Sequence, residues 1–438
     1  MQSKKSFVLN ILKFIKNFER QFSYILQNSI WLLAEKFNRA ILGLLVGAWV
    51  ARYLGPTEFG ELAYAVVYIN FFQAIVNLGT DGIVVRDIVK EPDLKHEILG
   101  TTLWMRLATG FFFWIFSILV ITDLKNLNAP FIYVILGSII FFQAFDTIDL
   151  WFQSQNKSKK TAWSKLFAHT LSNLFKVVLI LIKAKIYIFA IAIALDGILT
   201  AVGLIFNYKR NKTELAWKFK LSRAKNILAE SWPYIISGIA TMLYMRIDQF
   251  MIKSYLGVQQ LGIYAVAIPL SQVWYVLPMT LTTCLAPYIS NQKLIGEKEY
   301  HNSLLIIFRC FGAIAIIISI SVFLISDEIV SVLYGPTYSQ SAKILAIHIF
   351  TNIFVFQNLA QYLWIVNEGK GLNQTYQTVL GALTALICNF LLIPKFGLVG
   401  SAYSSVIAYA VSGVISNLIL SKNILLMQLG IKPKVKSY

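Results

Sequence analysis

Apolar runs long enough to cross a bilayer follow one another along almost the whole chain, separated by short polar connections. A crossing takes about 20 apolar residues. By length and hydropathy the pattern predicts about twelve transmembrane helices. The first six are 29–53, 61–87, 97–121, 130–153, 162–183 and 187–208; the second six are 232–256, 261–289, 303–326, 341–365, 374–394 and 397–421. The longest connection lies between the two sets and carries Lys209, Arg210, Lys212, Lys218, Lys220, Arg223 and Lys225. The pattern predicts an all-α integral membrane protein with bundles at 29–208 and 231–422 and a basic linker at 209–230. A basic amphipathic segment, 1–28, precedes them and a basic tail, 423–438, follows.

A repeat supports two related halves. Tyr53-Leu54-Gly55, four residues, then Gly60 is matched by Tyr255-Leu256-Gly257, four residues, then Gly262. Tyr-Ala-Val follows in both copies, at Tyr64 to Val66 and at Tyr264 to Val266. Two copies at about half the chain length are the signature of a duplicated membrane unit.

Composition agrees: 57% of residues are hydrophobic and 14% charged. The net charge of +18 would suit nucleic acid, but its placement argues against that partner. Basic residues gather between the apolar spans, as the positive-inside rule expects. The N-terminal segment (Lys4, Lys5, Lys13, Lys16, Arg20) and the linker are basic, as is the tail (Lys432, Lys434, Lys436). So are the connections with Lys90 and Lys95 and with Lys157, Lys159 and Lys160; an even span count puts all of these on one side, with both termini cytoplasmic. Asp327 and Glu328 fall on the opposite side. Residues 1–28 lack a signal peptide's apolar core and cleavage site and read as a helix on the inner leaflet. Cys284, Cys310 and Cys388 are isolated and read as packing thiols, with no metal or disulfide spacing.

Charges inside the spans are the candidate chemistry. Glu35, Lys36 and Arg39 in one helix would cost roughly 8–10 kcal/mol unpaired at mid-bilayer, more than its apolar residues offset. Glu35 and Arg39, four apart, share a face and can pair; Gly43 and Gly47 predict close helix packing. Lys176 and Asp196 lie deep in their spans. Arg106 and Arg309 lie nearer the cytoplasmic ends, within snorkelling reach. Asp81 and Arg86 are further charged positions. Asp146 and Asp149, three apart, would repel if both ionised, or else sit solvated near the inner mouth. Arg246 and Asp248, about 200° apart on one helix, cannot both face one lumen. Arg246 is assigned to the substrate, because a guanidinium grips phosphate bidentately. The substrate-binding candidates are thus Arg39, Arg106, Lys176, Arg246 and Arg309; the ion-coupling candidates are Glu35, Asp196 and Asp248. His348 reads as a hydrogen-bonded packing residue. Pro269, Pro278 and Pro287 predict a bent eighth span.

No GxxxxGK[ST], HExxH, GxSxG or CxxC occurs, so the sequence predicts a non-enzyme without cofactor or metal.

These residues resemble the polysaccharide-exporter branch of the multidrug/oligosaccharidyl-lipid/polysaccharide flippase superfamily, Wzx-type O-antigen flippases above all. The matching pieces are AxYLGPxxFG at Ala51 to Gly60, NLGxD at Asn77 to Asp81, and RxD with YLGxxxxG at Arg246 to Gly262. LYGPxY at Leu333 to Tyr338 and IPxFGLxGSA at Ile393 to Ala402 complete the set. The resemblance implies two pseudo-symmetric six-helix bundles around a central, often cationic cavity and alternating access. It also implies an undecaprenyl-diphosphate-linked oligosaccharide flipped from the inner to the outer leaflet of a bacterial inner membrane, with a proton or sodium gradient as the drive. Membrane lipids and the polysaccharide polymerase and chain-length machinery are the partners it implies. The competing readings are a drug/cation antiporter of the same superfamily and a membrane polysaccharide polymerase; the short exterior loops disfavour the polymerase.

Overall fold

Apolar runs without water to satisfy their backbone must close their own hydrogen bonds, and the chain does so as helix. The computed structural model describes the backbone of residues 2–123, 130–155, 157–211 and 217–432. It describes their side chains from Glu35 onward, except at 121–123 and 130. No strand occurs among the described residues. The side chains of the N-terminal basic segment, and Lys212, Lys434 and Lys436, lie outside this set.

In chain order the helices are α1 (Gln2–Val76), α2 (Asp81–Lys90), α3 (Lys95–Asp123), α4 (Pro130–Gln143), α5 (Thr147–Ser154), α6 (Ser158–Leu181), α7 (Ile186–Arg210) and α8 (Leu221–Leu256). There follow α9 (Val258–Gln272), α10 (Val276–Ile295), α11 (Glu297–Leu324), α12 (Ser326–Tyr334), α13 (Gln340–His348), α14 (Thr351–Asn367), α15 (Gly371–Ala410), α16 (Asn417–Leu420) and α17 (Lys422–Gln428). Among the described residues, ten stretches are long and apolar enough to cross a membrane. Two of them, Glu35–Lys90 with 56 residues and Gly371–Leu420 with 50, are far longer than a bilayer needs. Each is broken inside, at Gly55 and at Gly397, and supplies two crossings. Twelve candidate crossings result among the described residues. Apolar side chains such as Leu181, Ile317 and Ile419 are exposed, as lipid-facing positions should be.

The chain divides into two compact units. One gathers Glu35–Val266 with Ser331–Ser339; the other centres on Ala267–Val330 and the residues after Gln340. In the first unit the repeated motif has a direct structural reason. Gly55 and Gly257 adopt φ 73°, ψ 172° and φ 87°, ψ 175°, a region open essentially to glycine alone. Gly335 of the LYGPxY motif repeats the conformation at φ 81°, ψ −178°. The second glycines of the repeat face each other. A Cβ on Gly60 would stand 2.1 Å from the Val258 oxygen, and one on Gly262 1.9 Å from the Pro56 oxygen. The two backbones meet where side chains are absent. Tyr338 then donates its hydroxyl to the Ala51 oxygen at 2.8 Å, tying LYGPxY to the first helix.

The NLGxD motif interrupts the predicted span 61–87. Leu78 and Gly79 have positive φ, so α1 ends at Val76 and α2 starts at Asp81. The predicted linker is only partly a linker, because residues from Leu221 onward are helical. Its extended part is docked: Lys218 N–H reaches the His96 oxygen and Lys220 N–H the Thr101 hydroxyl, both at 3.1 Å. Arg223 pairs with Glu91 at 2.7 Å and Glu97 at 3.2 Å, and Arg86 with Glu230 at 2.6 Å.

The second unit packs around Tyr300, Leu304, Phe308, Phe311, Phe356 and Ala360. The eighth span bends at a short 3₁₀ turn, Val273–Tyr275, where Pro278 leaves the Trp274 carbonyl without its helical donor. His348 is buried with Nδ1 2.7 Å from the Ser271 hydroxyl. The last span contains a π turn at Val411–Ile415, beside the buried amides of Gln361 and Asn417, which bond reciprocally at 3.0 and 2.8 Å. Of the three free cysteines Cys284 is buried, Cys388 is partly so and Cys310 is exposed.

The glycine crossing makes a prediction. Gly262→Ala must separate two backbones, whereas a Cβ on Gly47 meets nothing within 4 Å. Thermal unfolding of the detergent-solubilised protein should fall by roughly 5 °C or more for Gly262→Ala and stay unchanged for Gly47→Ala. Equal midpoints would refute the crossing.

Candidate functional site

Three helices of the first unit bring their polar stripes together. On α1, Glu35, Arg39, Gly43 and Gly47 recur every four residues and so share one face. On α6 the same spacing aligns Lys165, His169 and Asn173, with Lys176 one turn further. On α7, Asp196 and Thr200 lie among alanine, glycine and aliphatic residues. A cavity of about 470 Å³ opens among them, lined by Glu35, Arg39, Asp146, Lys165 and Asp196 together with Asn70, Gln73 and Gln143. A second cavity of about 120 Å³ lies against Gly43, Gly47, His169, Asn173 and Lys176. The glycines therefore open space instead of packing two helices closely, which corrects the small-residue reading.

A continuous chain of contacts runs through the site. Arg39 Nε donates to Glu35 Oε1 at 3.0 Å, and Arg39 Nη1 reaches Asp196 Oδ2 at 3.5 Å. His169 Nδ1 lies 3.1 Å from the same Asp196 oxygen. The other oxygen, Oδ1, is buried and has no hydrogen-bond partner among the described residues. On the far side of the ring, Asn173 Nδ2 lies 2.9 Å from His169 Nε2 and also donates to the His169 carbonyl at 2.8 Å. Asn173 Oδ1 receives Lys176 Nζ at 3.4 Å. With Nε2 accepting from the amide, the neutral ring carries its proton on Nδ1, aimed at Asp196.

The larger cavity is not simply cationic. Glu35, Asp146 and Asp196 face it, against Arg39 and Lys165. Lys165 bridges the Asp146/Asp149 pair, at 3.8 Å from Asp146 and 2.5 Å from Asp149. The two aspartates thus share a cation instead of repelling, and Asp149 is buried instead of solvated. The charges at the site are therefore paired, which lowers the cost of holding them within a membrane span.

The remaining predicted residues are placed elsewhere. Arg106 does not snorkel: it is 1% exposed and donates to Thr80 Oγ1 at 2.6 Å, Asp81 Oδ1 at 2.5 Å and the Asn77 oxygen at 3.3 Å. It clamps the interruption between α1 and α2. Arg309 donates twice to the Gly430 oxygen, at 3.0 and 2.6 Å, and holds the end of α17. Asp248 is buried, accepting from Tyr264 Oη at 2.5 Å and its neighbour Gln249 N–H at 2.7 Å. Arg246 is half-buried and forms no hydrogen bond or ion pair among the described residues. The structure thus joins Glu35, Arg39, Asp196 and Lys176 and gives Arg106, Asp248 and Arg309 partners of their own.

Sequence reading missed Lys165, His169 and Asn173. The four-residue polar spacing on an otherwise apolar helix was the signal that would have found them. Among the described residues no set of three His, Cys, Asp or Glu side chains converges as a metal site.

A model of the family described as Polysaccharide biosynthesis protein matches residues 25–293, and a MatE model matches residues 233–391. A protein of the Lsg locus of Haemophilus influenzae is 23% identical over 90% of this chain and 99% of its own length. A protein named an O-antigen transporter in Shigella dysenteriae is 23% identical over 82% of this chain and 91% of its own. The inward closed conformation of the lipid II flippase MurJ superposes with a TM-score of 0.70 at 16% identity, covering 92% of this chain and 90% of that one. At that identity the likeness is one of fold. The family match extends over more than half of the 438 residues, and the chain belongs to the Polysaccharide biosynthesis protein family.

Proposed function

We propose that this chain is a flippase that moves lipid-linked oligosaccharide repeat units, the undecaprenyl-diphosphate-linked precursors of a surface polysaccharide. The direction proposed is from the inner to the outer leaflet of a bacterial inner membrane, by alternating access, with both termini cytoplasmic. Family membership supports the substrate class, and the name of the O-antigen relative points the same way. The observation that carries the mechanism is the chain Glu35–Arg39–Asp196 at a membrane-embedded cavity. A charge kept there is costly unless paired, so its partner can be exchanged when the transporter changes state. In this reading Glu35 and Asp196 bind the driving proton or sodium ion. Arg39, Lys176 and Arg246 meet the diphosphate, whose lipid tail stays in the bilayer. Arg106, Arg309 and Asp248 hold the scaffold.

A drug/cation antiporter is the second reading. It is favoured by one observation, the three carboxylates facing two cations in the larger cavity. A deletion strain separates the two. Under the flippase reading, lipid-linked repeat units accumulate on the cytoplasmic leaflet of its vesicles. Wild type clears them and Arg246→Ala at equal abundance does not. Normal leaflet distribution with raised drug sensitivity would favour the antiporter.

The coupling pair gives a separate expectation. Asp196→Asn and Glu35→Gln should each lower export at least about tenfold at wild-type abundance, a loss of about 1.4 kcal/mol in the driven step. Export at the wild-type rate in both variants would remove these carboxylates from the mechanism.

A further inference from the structure

His169 stands between the two cavities of the first unit. Its Nδ1 faces Asp196, which lines the larger cavity, and its Nε2 faces Asn173, which lines the smaller one together with the ring itself. The ring is buried and belongs to the partition. Every group that bears on its charge is identifiable. Glu35 and Arg39 approach through Asp196 from α1, where Gly43 also lies close enough that a Cβ would stand 3.9 Å from Nε2. Lys165, Asn173 and Lys176 flank it on α6, and Asp196 faces it from α7. Lys165 is held by Asp146 and Asp149.

Two features of Asp196 show what the ring is for. Oδ2 already receives both Arg39 and His169, while Oδ1 is buried without a partner among the described residues. The unpartnered oxygen leaves Asp196 room for one more donor beside the two that it already receives. Asp196 lines the larger cavity beside Arg39 and is reached from that side directly. The imidazole offers the other approach. A cavity of about 120 Å³ is large enough to hold water beside the ring.

We propose that His169 is the proton carrier of the coupling step, taking protons from the small cavity at Nε2 and delivering them from Nδ1 to Asp196. This inference rests on the reading of Asp196 as a coupling carboxylate. The step balances. The Nδ1–H bond breaks as an O–H bond forms on Asp196 Oδ2, and Nε2 gains a proton from water in the small cavity. Asp196 becomes neutral, its hold on Arg39 weakens, and the ring is left as the neutral Nε2–H tautomer. Asn173 follows by turning its amide, so that Oδ1 accepts from Nε2–H where Nδ2 had donated to it. That turn breaks both the contact with Lys176 and the amide's bond to the His169 carbonyl. His169 is therefore a positioning and relay residue, outside contact with the glycolipid.

Histidine is rare enough here for a direct test, because the chain holds only His96, His169, His301 and His348. Nitrogen-15 NMR of the full chain in nanodiscs, labelled at histidine and assigned with His169→Gln, reads the ring. The expected result is the Nδ1–H tautomer at alkaline pH, with Nε2 accepting from Asn173. An Nε2–H tautomer at alkaline pH overturns the proposal without any variant having to transport.

Proton influx into proteoliposomes with an entrapped pH dye, driven by a valinomycin-set potassium potential, supplies the second readout. Influx should be abolished in Asp196→Asn and slowed about tenfold or more in His169→Gln. If wild type admits no protons, or Asp196→Asn admits them as wild type does, the coupling reading itself falls. If Asp196→Asn blocks influx and His169→Gln leaves it unchanged, only the role of His169 falls.

Discussion

Pairing of charge inside a medium that solvates none is the constraint on which the rest of this structure depends. Several ionised side chains of the first unit are paired across helices. Arg39 on α1 reaches Asp196 on α7, Lys165 on α6 reaches Asp149 on α5, and Arg106 on α3 reaches Asp81 on α2. Each pair fixes the register of two helices more narrowly than apolar contacts with slippery aliphatic neighbours would. The desolvation cost of such pairs argues against reading them as net stabilisers. Their effect is to specify which helices meet and to leave a polar surface where a cavity can exist. Arg106 shows the division of labour. Its buried guanidinium secures the interruption at Asn77–Thr80, and by doing so it leaves the cavity to Arg39 and Lys165.

The same medium explains the glycines. A helix that must end and restart within an apolar environment cannot leave its carbonyls unsatisfied. The chain solves this with single residues in a glycine-only conformation, at Gly55, Gly257 and Gly335, so that one helix follows another with almost no exposed backbone. The second glycine of each repeat then lets Gly60 and Gly262 pass at backbone distance. The repeat in sequence is thus a repeat of one junction.

The sequence made the helices legible because bilayer crossing imposes length and hydropathy on each segment separately. It made the junction glycines legible because their spacing recurs. Charge pairing was readable only where partners share a helix, as Glu35 and Arg39 do. Partners on different helices were not, since nothing in linear order links Arg39 to Asp196 or Lys165 to Asp149. Arg106 therefore looked like a residue reaching for water when it is buried, and Gly43 and Gly47 looked like a packing seam when they border a cavity. The His169 stripe on α6 was present in the sequence at four-residue spacing. It was obscured because attention to charge passes over a single neutral histidine and asparagine.

Arg39 is the group through which the site can exist in two states. It is held more closely by Glu35, at 3.0 Å, than by Asp196, at 3.5 Å, and its side chain is 42% exposed to the cavity. Glu35 is its neighbour on the same helix, so that bond moves with α1 as a unit. Asp196 sits on α7, so that bond crosses between helices. Neutralising Asp196 removes the cross-helix attraction and leaves the same-helix pair intact, so Arg39 remains charged and solvated without being stranded. A ligand or proton that acts on Asp196 therefore changes the interaction between α1 and α7 at little penalty to the rest of the charge network. That difference between the two bonds, more than the number of charges, separates what holds within α1 from what ties α1 to α7.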